Sequence, residues 1–91
     1  MVERRSRVSI LRDVLKTVKE KGEAKPTHIL YGANLSHDRL KKYLEKLVAD
    51  GFISKIEKNG QTFYEITQKG LEFLSGYNKM KKFFDAFGFS V

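Results

Sequence analysis

Residues 27–51, THILYGANLSHDRLKKYLEKLVADG, decide the fold, because their pattern predicts two helices joined by a tight turn. The first helix is short, from Pro26 to Tyr31, and residues 32–35 form the turn. Ser36 is placed to cap the second helix by accepting hydrogen bonds from its free backbone N–H groups. Apolar residues recur along the second helix with the 3.6-residue period at Leu40, Tyr43, Leu44, Leu47 and Val48.

The opposite side of the second helix is polar and charged. It carries Asp38, Lys41, Lys42, Glu45 and Ala49, with Arg39 and Lys46 on a flank. A helix with one apolar side and one side of long polar residues, preceded by a short helix and a turn, is what a helix-turn-helix places in the major groove of DNA.

The residues after Gly51 predict a β-hairpin with strands at 52–56 and 62–66. Asn59-Gly60 lies between them, and Asn-Gly is the strongest short hairpin signal. Tyr64 and Ile66 share one face of their strand and are expected to pack inward. A helix-turn-helix followed by such a hairpin is a winged helix. Residues at or near the tip of this wing that could touch a phosphate or the minor groove are Lys55, Lys58, Asn59 and Gln61.

Two further helices flank this unit. An amphipathic helix is predicted from Ser6 to Lys21 and ends at Gly22. Thr67 is expected to cap a last helix at about residues 68–86. Gly70 and Gly76 lie inside this helix and weaken it by ~1 kcal/mol each relative to Ala. Gly76 is either a kink or a break.

The last helix also predicts a symmetric dimer. Phe83, Phe84, Phe87 and Phe89 lie within seven residues and would form an exposed patch on a monomer of this size. An isologous contact with a second copy would cover it. The predicted interface consists of Leu74, Tyr77, Met80, Phe83, Phe84 and Phe87. The alternative is that this segment folds back on the first helix of its own chain.

The fold class predicted from this order is α+β, mainly α: a three-helix core, a β-hairpin wing and a C-terminal dimerisation helix. At 91 residues the chain is expected to be a single winged-helix domain, with an arm at 1–5, a core at 6–66 and the dimerisation helix at 67–91. Its 18 basic and 11 acidic residues give a net charge of +7, which favours polyanionic partners. The excess is uneven, because residues 1–25 carry +4 and residues 26–51 only +1.

The sequence gives no sign of an enzyme. It has no cysteine, no glycine-rich phosphate loop and no cluster of metal ligands around His28 or His37, so we expect no metal and no cofactor. Ser36 and His37 are adjacent on a helix and do not face each other. With no membrane-spanning apolar run and no signal-peptide pattern, we expect a cytoplasmic, nucleoid-associated protein.

Two tracts, HILYGANLSHDRLKKYLEKLVADGFI at residues 28–53 and YEITQKG at residues 64–70, resemble archaeal winged-helix transcription regulators and chromatin-type proteins. Within them, ILYGANLS looks like the turn signature of the ten-kilodalton archaeal DNA-binding proteins that dimerise through an antiparallel coiled coil. The resemblance covers residues 6–75 and implies DNA binding by a homodimer. The tail departs from it, being short, aromatic and interrupted by Gly76. A similar helix-plus-wing pattern occurs in multiple-antibiotic-resistance-type and phenolic-acid-type repressors, which add longer helical extensions.

We therefore expect binding of double-stranded DNA by a transcription regulator or chromatin-type protein. The recognition helix would contribute Ser36, His37, Arg39, Lys41, Lys42 and Lys46. Arg39 is the candidate for bidentate contact with guanine. The wing lysines and the arm residues Arg4, Arg5 and Arg7 would contact phosphates, although the arm could equally be a solvated terminus. The alternative function is a protein-interaction module without DNA binding, which the near-neutral charge of residues 26–51 keeps open.

Overall fold

The computed structural model describes residues 6–88 and confirms the predicted fold class. Arg4, Arg5 and Phe89 lie outside the described residues. The elements in chain order are α1 (Arg7–Lys21), α2 (Pro26–Ala33), α3 (His37–Ala49), β1 (Ile53–Lys58), β2 (Gln61–Ile66) and α4 (Gln68–Ala86). No helix within residues 6–88 is both long and apolar enough to cross a bilayer.

Side-chain caps begin three of the helices. Ser6, Ser36 and Thr67 each accept a hydrogen bond from the backbone N–H three residues later, at 3.0, 3.4 and 3.2 Å. Each cap therefore satisfies a backbone donor that has no partner inside its helix. The predicted starts of α1, α3 and α4 follow from these short polar residues.

The core forms where α1 meets α2, α4 and β2, and α3 closes it from the side of β1. Its largest fully buried side chains are Ile10, Val14, Leu15, Val18, Ile29, Leu47 and Ile53. The apolar stripes of α1 and α3 point into this core, as their periodicity predicted. This packing leaves the polar side of α3 in solvent.

The wing is an antiparallel pair of strands in which Lys58 faces Gln61 across the turn. Asn59 and Gly60 adopt φ angles of 52° and 77°, as a two-residue hairpin turn with right-handed strand twist requires. A third segment, which sequence reasoning missed, pairs with the middle of β2. Ala24 exchanges two backbone hydrogen bonds with Tyr64, at 2.9 and 2.8 Å, and so ties β2 to the loop between α1 and α2.

The predicted turn at residues 32–35 is wrong in its first half. α2 continues through Gly32 to Ala33, and the chain reverses at Asn34, whose φ angle is 54°. Gly32 is not a turn residue but lets α2 pack closely against α1. A Cβ atom at this position would lie 2.5 Å from the hydroxyl oxygen of Thr17 on α1. The close approach of α1 and α2 therefore depends on the absence of a side chain at position 32.

The expected dimer interface also needs a correction. Leu74 and Tyr77 are only 6% and 5% exposed, because this part of α4 packs within its own chain, and the Arg12 guanidinium lies 5.6 Å from the Tyr77 ring centroid. These two residues therefore belong to the core of their own chain. α4 is an uninterrupted helix through Gly76. Phe84 is half-buried, whereas Met80, Phe83 and Phe87 remain exposed.

Candidate nucleic-acid interface

The outward side of α3 is a continuous polar surface. Leu40, Leu44 and Leu47 are buried, and the exposed residues of the helix are His37, Asp38, Arg39, Lys41, Lys42, Glu45, Lys46 and Ala49. The Ser36 hydroxyl at its start accepts a hydrogen bond from the Arg39 backbone N–H, so Ser36 has a capping role. The predicted orientation, with charged residues in solvent and apolar residues in the core, is confirmed.

A cleft lies along the edge of α3 that faces α1. It has a volume of about 360 Å³ and is lined by Arg7, Leu11, Arg39, Lys42, Tyr43 and Lys46. We call it the α1-side cleft. Its lining includes four basic side chains, and one of the basic groups, Lys46 Nζ, lies 3.1 Å from a carboxylate oxygen of Asp50.

A second cleft, the wing-side cleft, lies along the other edge of α3. It has a volume of about 410 Å³ and is lined by Pro26, His37, Asp38, Leu40, Lys41, Leu44, Glu45, Lys55 and Tyr64. Lys55 pairs with Tyr64 in the middle of the hairpin and lines this cleft beside α3. Burial raises the pKa of the Tyr64 hydroxyl, and the Glu45 and Glu57 carboxylates raise it further.

The tip of the wing presents Asn59 and Gln61 to solvent. Lys58 is also exposed, but its Nζ donates a hydrogen bond to Glu23 Oε2 at 2.6 Å. This bond to Glu23 raises the pKa of Lys58. Sequence reasoning treated Lys58 as a free cation and missed Glu23, because no local signal links residues 35 positions apart.

His28 has a structural role. Its Nδ1 accepts a hydrogen bond from the Lys25 backbone N–H at 3.2 Å and so helps to begin α2. Within residues 6–88, no group of three or more His, Cys, Asp or Glu side chains is arranged to hold a metal ion.

A helix-turn-helix whose second helix is exposed beside a hairpin wing defines the winged-helix class. A family model described as winged helix-turn-helix matches residues 4–84, and the chain belongs to that family. It is 33% identical over 72 residues to the uncharacterized protein MJ0287 of Methanocaldococcus jannaschii, covering 79% of this chain and 69% of that protein.

Solved structures agree with this assignment. Sso10a-2, described as a DNA-binding protein from Sulfolobus solfataricus, superposes with a TM-score of 0.81 and 26% identity over 91% of this chain and 85% of that chain. TubR of Bacillus thuringiensis, solved bound to 24 bp of tubC, gives a TM-score of 0.68 at 16% identity over 79% of this chain and 82% of its own, which shows the fold alone. The resemblance to archaeal winged-helix proteins is confirmed.

Proposed function

We propose that this chain binds double-stranded DNA as a homodimer, without catalysis, and acts as a transcription regulator or nucleoid-associated protein. The observation that carries the proposal is the exposure of the whole polar side of α3 beside the wing. A helix held in this way can enter the major groove, while the wing reaches along the neighbouring backbone or minor groove. Asn59 and Gln61 are the wing-tip side chains best placed for that contact.

The charge of the chain supports a polyanionic partner. The net charge is +7, and Arg39, Lys41, Lys42 and Lys46 all project from the exposed side of α3. Release of counterions from DNA would supply affinity that does not depend on sequence. Sso10a-2, described as a DNA-binding protein, shares the fold over most of both chains, which adds support for the same class of partner.

The second half of α4 supports a homodimer. Met80, Phe83 and Phe87 are 37%, 60% and 66% exposed, and they continue a row that begins at Gly76 with spacings of 4, 3 and 4 residues. This is the alternation by which two helices pack along a seam. The Phe83 and Phe87 rings already contact each other, with centroids 5.0 Å apart, so they present one apolar surface. A second copy of the chain would cover that surface with its own.

A mobility-shift titration with random duplex at low salt, with the protein mass in solution measured alongside, tests both parts. We expect a shift at micromolar protein and a mass twice that of the 10.5 kDa chain. No shift would refute DNA binding and favour a protein-interaction module. A monomeric mass would refute the dimer.

Selection of bound duplexes from a random pool then separates the two roles. A palindromic consensus with half-sites about one helical turn apart identifies a regulator, because a two-fold dimer reads two equivalent sites. Retention of DNA without enrichment of any sequence identifies a nucleoid-associated role.

A further inference from the structure

The two edges of α3 differ in charge. The α1-side cleft gathers four basic side chains and has no carboxylate in its lining. The wing-side cleft combines Lys41 and Lys55 with Asp38 and Glu45, so its two basic and two acidic side chains balance. Its lining also includes His37. The exposed side of the helix is therefore divided lengthwise into a basic edge and a mixed edge.

The basic edge is assembled from two helices. Arg39, Lys42 and Lys46 follow one another at spacings of 3 and 4 residues along α3, and Arg7 joins them from the first position of α1. Among residues 6–88, no carboxylate forms an ion pair with Arg7, Arg39 or Lys42, whereas Lys46 pairs with Asp50. Three of the four positive charges thus have no counter-charge from the described part of the chain.

We propose that the α1-side cleft holds a phosphate group of the DNA backbone. This inference rests on the proposed DNA binding and adds an orientation: the basic edge of α3 lies against one strand, and the mixed edge faces the bases and the wing.

Electrostatics favours a phosphate in this position over a base edge. Cations that converge on one cleft repel one another, and an anion between them relieves the repulsion. Leu11 and Tyr43 are half-buried and give the cleft an apolar wall, which strengthens attraction by limiting solvent screening. The guanidinium groups of Arg7 and Arg39 match phosphate oxygens geometrically. On the mixed edge, Asp38 and Glu45 would repel a phosphate but can accept hydrogen bonds from cytosine amino groups.

The inference changes the role of Arg39. Its sequence position at the start of the helix suggested contact with guanine, but its side chain lies in the α1-side cleft with three other cations. Arg39 then contacts the phosphate backbone of the DNA, and the preference for particular base sequences depends on residues of the mixed edge.

The test measures duplex affinity by fluorescence anisotropy over 50–200 mM salt for Arg7→Gln and Lys42→Gln. Because the cleft would hold one phosphate among four cations, each change should reduce the magnitude of the salt slope by up to about 0.9 for every duplex sequence, which is up to about a 3.5-fold smaller loss of affinity across this fourfold range. Lys16→Gln is the matched control, because it removes one exposed charge from the outward side of α1. Lys42→Arg should keep the wild-type slope, and thermal melting of each variant checks the fold.

Two outcomes overturn the inference and leave DNA binding intact. In one, the wild-type protein binds with a steep salt slope, and the slopes of Arg7→Gln and Lys42→Gln equal that of the control Lys16→Gln. In the other, Arg39→Lys lowers affinity by about tenfold only for duplexes with guanine at one position, which would identify Arg39 as a base reader. Absence of binding by the wild type would refute the proposed function and the inference together.

Discussion

The ion pair between the wing and the loop after α1 predicts that one substitution should strengthen DNA binding. Lys58 Nζ lies 2.6 Å from Glu23 Oε2, and the Glu23 side chain is 37% exposed, so the pair faces solvent near the wing tip. A lysine held by a carboxylate is neutralised locally and gives up that partner if it contacts a phosphate. Glu23→Gln should therefore release Lys58 for the DNA backbone.

The expected magnitude follows from counterion release. One added phosphate contact steepens the salt slope by about 0.9, so the advantage of the variant over wild type should grow about 3.5-fold as salt falls from 200 to 50 mM. The wing itself should stay in place, because the paired backbone hydrogen bonds between Ala24 and Tyr64 do not involve Glu23. The gain should thus appear in binding and not as a change of fold.

A double-mutant cycle measured by fluorescence anisotropy isolates the effect. Lys58→Gln should change the slope little in the wild type and should abolish the gain in the Glu23→Gln background. Glu72→Gln, which removes an exposed carboxylate on α4, controls for the general change in net charge. Equal effects of Lys58→Gln in both backgrounds, or equal slopes for Glu23→Gln and Glu72→Gln, would refute the reasoning.

Three further changes test the packing, the dimer and the wing. Gly32→Ala should destabilise by about 1–3 kcal/mol in urea unfolding, and Thr17→Ala in the same chain should recover part of this loss by removing the clashing atoms. Phe83→Glu should halve the mass in solution, whereas Ser75→Glu, an exposed α4 position outside the apolar row, should not. Burial raises the pKa of the Tyr64 hydroxyl in the folded protein, so the folded state favours the neutral hydroxyl. This contribution to stability is fully present below pH ~10, the ordinary pKa of tyrosine, and is lost as the pH rises through the raised pKa. Tyr64→Phe should therefore flatten the fall in melting temperature between pH 9 and 11.

The parts of the fold that sequence predicts well have local causes. α3 follows from a cap at Ser36 and an apolar stripe that spans more than two turns, both contained in one short stretch. The wing follows from Asn59-Gly60, because few residue pairs accept two consecutive positive φ angles. Once these two features are placed, the winged-helix order leaves little choice for the remaining elements.

The features that sequence did not predict depend on contacts between distant residues. Gly32 resembles a turn residue in sequence, but its role depends on Thr17, which lies on another helix. The apolar residues of α4 run along its whole length, so the sequence does not show which of them meet the core of their own chain. The fold decides this by burying Leu74 and Tyr77 and leaving Phe83 exposed.

The near-neutral charge of residues 26–51 was the main sequence argument against DNA binding, and the structure shows why this sum is misleading. DNA interacts with a surface and not with a segment of chain. On α3, two acidic residues, Asp38 and Glu45, lie on the wing-side edge, while Arg39 and Lys42 lie on the other edge together with Arg7 from α1. Folding thus separates charges that cancel in the linear count and adds one from a different helix. The local charge that a phosphate would meet is strongly positive even though the segment carries only +1.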